Sequence, residues 1–198
     1  GRAHAIAMAS KGAKVVVNDF SGSQEISENA NSVVEEIISA GGEAIANGAN
    51  VANFDQVQCM VNETIDKWGR VDILVNNAGI LRDKTFLKMS VEDMREVIDV
   101  HLMGSLNCSK AVWETMREQS YGRIVLTSSS SGLYGNFGQT NYGAAKMAMV
   151  GIMNTLHLEG MKYNIKVNCL APTAGTAMTD GLFPEPVFKL MPPESVSP

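Results

Sequence analysis

Cysteine is scarce in this chain of 198 residues: Cys59, Cys108 and Cys169 are odd in number, far apart and in no CxxC arrangement. That excludes a disulfide framework and implies reduced thiols in a reducing compartment, the cytoplasm rather than the secretory route. Histidine is as rare, and His4, His101 and His157 share no metal-ligand spacing with the cysteines, so no metal is expected. Positive charge is in deficit: 16 Lys and Arg against 21 Asp and Glu give a net charge of -5, which argues against a nucleic-acid partner. No apolar run reaches the roughly 20 residues of a membrane-spanning helix, and no signal peptide is visible. The Asn-x-Ser/Thr matches at Asn62 and Asn107 are therefore read as chance.

What is present is an ordinary soluble composition, 45% hydrophobic and 19% charged, in a length that suits one domain, residues 1–198, with a sizeable core. Apolar runs alternate with helical patterns. An alanine-rich helical stretch over 1–10 precedes Val15-Val16-Val17, a buried strand ending at Asp19. A helix carrying Val33, Val34, Ile37 and Ile38 stops at Gly41-Gly42, and a short strand follows near 43–46. Asn53 with Gln56 marks the start of a helix that ends at Gly69, and Val71 to Val75 is the next strand. Ser90 with Asp93 forms a capping box opening a long amphipathic segment towards Trp113. The strand Ile124-Val125-Leu126, a helix over about 141–163 and a strand over 165–170 complete the series. Strands alternating with helices imply parallel βαβ units, hence an α/β fold of Rossmann type: a doubly wound parallel sheet in three α/β/α layers.

The chemistry gathers between 123 and 170. Tyr142 and Lys146 stand one turn apart on one helix face, and Ser129 lies in the serine cluster after the Ile124 strand. A fixed ammonium favours the phenolate of a nearby tyrosine, whose free pKa is about 10. The phenol could then exchange a proton near neutral pH while the serine hydroxyl orients a substrate oxygen. A lone Tyr-x-x-x-Lys, or a serine turn alone, is more often structural.

Together, Thr127-Ser128-Ser129-Ser130-Ser131-Gly132 and Tyr142-Gly143-Ala144-Ala145-Lys146 resemble the short-chain dehydrogenase/reductase family, with Ser129, Tyr142 and Lys146 at the catalytic positions. The resemblance implies an enzyme acting on CH-OH groups with a nicotinamide cofactor. Gly1 would be the last glycine of the phosphate-binding turn. In a sheet ordered 3-2-1-4-5-6 this leaves the first strand, and beyond the tail the last strand, outside the chain; residues upstream of Gly1 are expected in the natural protein. Asp19 takes the place of the carboxylate that binds the adenosine ribose and favours NAD over NADP, with Arg2 a weaker pointer the other way. Asn76-Asn77-Ala78-Gly79 matches the family's motif after the fourth strand, where Asn77, Ala78 and Gly79 would border the cofactor. Asn50-Val51 stands where an Asp-Val pair holds adenine. His101 replaces an asparagine that helps hold a proton-relaying water, and it either takes over that relay or is a buried structural residue. Pro172 and Thr176, with Thr179 second, fall where the carboxamide of the nicotinamide is held.

Further stretches are similar to the family's NAD-dependent (3R)-3-hydroxyacyl-CoA dehydrogenases. They are Asn77 to Lys84, Val100-His101-Leu102, Gly132 to Gln139 and Ala171 to Thr176. The resemblance implies oxidation of a (3R)-3-hydroxyacyl-CoA to the 3-ketoacyl-CoA, with an NADPH-dependent 3-ketoacyl reductase or a dehydrogenase of steroids or other alcohols as alternatives. In a eukaryote it implies a peroxisomal location. It also implies a homodimer or homotetramer. The methionines Met147, Met149 and Met153 are read as core rather than interface. Residues 178–198 read as a substrate-covering lid or a frayed end.

Overall fold

The computed structural model describes residues 1–23, 25–176, 179 and 184–197, and they form two compact units. The first unit comprises Gly1–Asn50 and Thr173–Pro198. It holds helix α1 (Arg2–Ser10), strand β1 (Lys14–Asn18), helix α2 (Glu28–Ser39), strand β2 (Glu43–Asn47) and, from the tail, a 3-10 turn at Pro193–Val196. β1 and β2 pair in parallel, with Val15 opposite Ala44 and Val17 opposite Ala46. The side chain of Ser27 accepts from the Ala30 N–H and starts α2, whose Val33 and Ile37, four residues apart, share one buried face. These residues join Ala5, Ala9, Val15 and Ala44 in one core.

The second unit, Val51–Pro172, carries the remaining strands. Asn53 caps α3 (Phe54–Trp68) through the Gln56 N–H, as the spacing predicts. β3 (Ile73–Asn76), β4 (Gly122–Thr127) and β5 (Ile165–Leu170) form a parallel sheet in that order, with Leu74, Ile124 and Val167 in register. β3 starts later than the apolar run suggests, because the Gln119 side chain takes the backbone N–H and carbonyl of Val71. Ile124 and Leu126 are fully buried, and Val57, Val61, Val112, Met116, Met149, Ile165 and Val167 close around them. The parallel βαβ arrangement is the Rossmann-type α/β fold that the alternation of runs predicts.

Two helical segments shape the region that matters for function. The capping box at Ser90 and Asp93 opens α4 (Val91–Ile98) as expected. The long amphipathic segment is then interrupted by a π-helical turn at Asp99–Met103 before α5 (Gly104–Gln119). The second segment is α7 (Thr140–Gly160), which packs on β5 and on the short helix α6 (Ser130–Tyr134). Its methionines part company: Met149 is buried and Met153 packs against the core, but Met147 is half exposed. The core reading therefore holds for two of the three.

Candidate active site

The site begins where β4 ends. Ser128 turns inward and donates to the Lys146 carbonyl at 2.8 Å, tying the strand end to α7. Ser129 is extended and accepts from the Ser131 N–H at 3.2 Å, which starts α6. A Cβ at Gly132 would stand 2.8 Å from the Lys146 carbonyl carbon and from the Met147 nitrogen, so only glycine lets α6 meet the α7 backbone. The serine cluster is thus both a turn and a scaffold.

α7 delivers Tyr142 and Lys146 to this corner. Asn141, buried, bridges the carbonyls of Arg82 and Asp93 and accepts from the Tyr142 N–H at 2.7 Å, so the tyrosine backbone is anchored to the preceding loop and α4. Lys146 is only 4% exposed, and its Nζ donates to the Thr127 carbonyl at 2.7 Å. Burial pulls its pKa down to about 8. The ammonium lies 5.6 Å from the centroid of the Tyr142 ring.

The expected lowering of the Tyr142 pKa is not what this geometry produces. The pKa is raised: burial is the largest cause, a hydrogen bond with the Ser129 side chain pulls the other way, and the charge of Asp83 adds to the rise. Lys146 bonds Thr127 and stands over the face of the ring, so it gives the phenol oxygen no hydrogen bond to offset desolvation. The Ser129 side chain is close enough to act on the Tyr142 hydroxyl, and Ser129, Tyr142 and Lys146 do come together.

His101 sits in the π turn and is 2% exposed. Its Nε2 lies 2.8 Å from the Ile80 carbonyl oxygen and 3.0 Å from the Ile80 nitrogen; one neutral tautomer donates to the carbonyl and the other accepts the N–H. Its Nδ1 is buried without a hydrogen-bond partner. Desolvation, then the nearby charge of Lys146, lowers its pKa to about 4, against the weaker upward pull of the Ile80 hydrogen bond, so the ring is neutral at physiological pH. It meets the Tyr142 ring edge-on, with centroids 5.2 Å apart and planes at 89°. A Cβ at Gly79 would come within 2.3 Å of His101 Cε1, which is why the segment after β3 needs glycine there.

The other predicted positions are scattered in their behaviour. At the end of β3 it is Asn76, buried, that bonds Ser109 at 3.3 Å, whereas Asn77 and Ala78 are exposed. Within this motif it is Asn76 that ties β3 to α5. Val51 packs on Gly104 and its carbonyl accepts from Asn107, while Asn50 is half buried. In the first unit, one Asp19 carboxylate oxygen accepts from the Ser27 hydroxyl at 2.6 Å. Arg2 is paired with Glu36, and Gly1 accepts from the Ala5 N–H as the cap of α1. Pro172 is half buried at the end of the second unit; in the first, the Thr176 N–H donates to the Thr179 hydroxyl, whose own proton reaches the Ala174 carbonyl. Of the expected lid, residues 178, 180–183 and 198 lie outside the described residues, and Glu185–Lys189 form a short helix, α8. Among the described residues no His, Cys, Asp or Glu cluster could hold a metal, and no helix is long and apolar enough to cross a membrane. Sequence reasoning missed Thr127, Asn141 and Asp83; a polar residue flanking each motif was the available signal.

The short chain dehydrogenase family matches residues 1–186. A short-chain type dehydrogenase/reductase of Mycobacterium tuberculosis is 50% identical over 202 residues, covering all of this chain and 71% of that protein. Peroxisomal multifunctional enzyme type 2 of Mus musculus is 47% identical over 205 residues, covering all of this chain but 27% of the larger protein. Among solved structures, a short chain dehydrogenase from Mycobacterium avium superposes with a TM-score of 0.89 at 42% identity, covering all of this chain and 71% of that one. The chain belongs to the short chain dehydrogenase family.

Proposed function

We propose that this short chain dehydrogenase oxidises a (3R)-3-hydroxyacyl-CoA to the 3-ketoacyl-CoA with NAD. The observation that carries the reading is the corner of α7: Tyr142 within reach of the Ser129 side chain and standing beside a buried Lys146. The donor set there suits a nicotinamide dinucleotide. The Lys146 ammonium spends one hydrogen bond on Thr127 and has two more protons, and the buried Thr127 Oγ1 has no hydrogen-bond partner. Lys146 and Tyr142 would hold the nicotinamide ribose, the exposed Asn77-Ala78 backbone and Gly79 would border the cofactor, and Pro172 and Thr176 would hold its carboxamide. Gly1 would face its phosphates, Asn50 and Val51 its adenine and Asp19 its adenosine ribose. When bound, NAD supplies the hydride acceptor.

Ser129 donates its hydroxyl hydrogen to the substrate oxygen and holds it against the phenol. Tyr142 removes the hydroxyl proton as general base and returns it in the reverse direction. Because burial raises the phenol pKa, Tyr142 acts as base only after giving up its own proton, and the phenolate then stands beside the Lys146 ammonium. An NADPH-dependent 3-ketoacyl reductase is the alternative. The Asp19 carboxylate disfavours it, since it would repel a 2′-phosphate. A homodimer or homotetramer formed through the exposed flank of α7, where Met147 and Leu158 lie, and a peroxisomal or cytoplasmic location complete the proposal.

The test is NADH formation, followed by absorbance, with the 3R and 3S epimers of a 3-hydroxyacyl-CoA and with NAD or NADP. Turnover of the 3R epimer with NAD alone is expected. Preference for NADP would favour the reductase, and turnover of neither epimer would move the substrate to another secondary alcohol.

A further inference from the structure

We propose that His101 is a positioning residue, one that sets the plane of the Tyr142 ring and so the stance of its hydroxyl towards Ser129. The inference rests on the reading of Tyr142 as the acid/base and adds a residue that the Ser-Tyr-Lys set does not contain. Three observations carry it. The imidazole is clamped on two sides: Nε2 engages the Ile80 backbone, and Cε1 faces a Gly79 that has no room for a side chain. The clamped ring meets Tyr142 edge to face at 89°, the geometry in which the positive edge of one ring seats on the negative face of another. The residue is carried by a π turn, Asp99–Met103, an irregularity that changes where a side chain on a continuous helix would point and one that recurs at functional sites.

Its electrostatic setting fits the same role. The titratable groups around this corner are Lys146, Tyr142 and, acting on Tyr142, Asp83. Burial first, and then the lysine charge, disfavours a second cation, so the imidazole stays neutral while the phenol gains or loses its proton. A group that must hold the tyrosine still through a proton transfer works best if its own charge does not change. Ser105 fixes the His101 backbone as well, donating from its hydroxyl to the His101 carbonyl at 2.7 Å.

Two substitutions divide the clamp from the ring contact. His101→Gln places an amide nitrogen near the position of Nε2, able to bond Ile80, but removes the ring edge. His101→Phe keeps an aromatic edge against Tyr142 and leaves the Ile80 groups without their side-chain partner. Both variants, in the whole protein and checked for folding by circular dichroism, are compared with wild type in two readouts. The first is the titration of Tyr142, followed by the 13C resonance of its Cζ in protein labelled at tyrosine, assigned through Tyr142→Phe. The second is kcat and KM with a (3R)-3-hydroxyacyl-CoA and NAD.

The expected result is a displaced Tyr142 resonance and titration in each variant, with kcat about tenfold lower and both KM values within about twofold of wild type. A Tyr142 resonance that superimposes on wild type in both variants overturns the proposal, whatever the enzyme's substrate. Should the variants not fold, Gly79→Ala drives a methyl into the same imidazole from outside the π turn, and the same displacement of Tyr142 is expected; its absence overturns the proposal. If wild type fails to turn over the hydroxyacyl-CoA while the Tyr142 resonance moves in the variants, the substrate assignment fails and the positioning role stands.

Discussion

The end of β1 and the end of β4 make an instructive pair. Each strand hands over to a polar residue associated with the start of the next helix, and each leaves one buried side-chain oxygen without a partner, Asn18 Oδ1 in one case and Thr127 Oγ1 in the other. At β1 the polar groups close on one another: Asp19 accepts from Ser27, and Ser27 caps α2. At β4 the neighbours are a buried ammonium, a neutral imidazole and a phenol whose pKa is raised. The first arrangement meets the needs of the fold with short local bonds. The second keeps charge away from water beyond what the fold requires, and groups with perturbed pKa values concentrate where proton transfer is needed.

Substitutions should pull the two ends apart in a definite order. Tyr142→Phe is expected to lower turnover by about 10²- to 10⁴-fold, the usual worth of a general acid or base, while NAD binding measured by fluorescence titration weakens by less than about tenfold, the worth of one ribose hydrogen bond. Residual turnover close to wild type would remove the chemistry from the β4 end.

The next effect is electrostatic. Lys146 titrates at about 8 in the fold against 10.5 when free. Between those values the unfolded chain binds the extra proton, so wild-type stability should rise with pH across that window and level off below 8, where both states carry the proton. The gain over Lys146→Met should approach about 3 kcal/mol, at roughly 1.4 kcal/mol per unit of pKa. Urea unfolding of both proteins at pH 7.5 and pH 10.5 checks it, and a flat difference would mean that the ammonium is not held in a dry site.

Gly79→Ala should cost about 1–3 kcal/mol by overpacking against His101, read as a lower urea midpoint at unchanged slope. Ser27→Ala is the smallest: loss of the α2 cap at the β1 end should cost about 1 kcal/mol and leave kcat unaltered. A large fall in kcat there would blur the contrast between the two strand ends.

Much of this could be read from residue order. The caps at Asn53 and Ser90 are local chemistry, with donor and acceptor three residues apart, and the structure contains both. The alternation of apolar runs and helical patterns led to the α/β class for the same reason, since burial period is a property of neighbouring residues. The stretch around Ser129, Tyr142 and Lys146 was legible because three groups of one chemistry lie close in sequence. The π turn at Asp99–Met103 was not, because nothing in Asp99-Val100-His101-Leu102-Met103 breaks a helix. Nor was the start of β3 at Ile73, which depends on Gln119, 48 residues from Val71.

Order along the chain by itself determined which elements form and which side chains could do chemistry, through periodicity, capping and spacing. The tertiary structure alone decided how those side chains are biased. Lys146 turned to the Thr127 carbonyl and the face of the Tyr142 ring, so burial raised the phenol pKa where proximity in sequence had suggested a fall. Asn76 took the buried bond to Ser109 while its neighbour Asn77 stayed exposed. The physical reason is that desolvation and hydrogen bonding depend on direction and depth, and both are fixed by contacts between segments far apart in the chain.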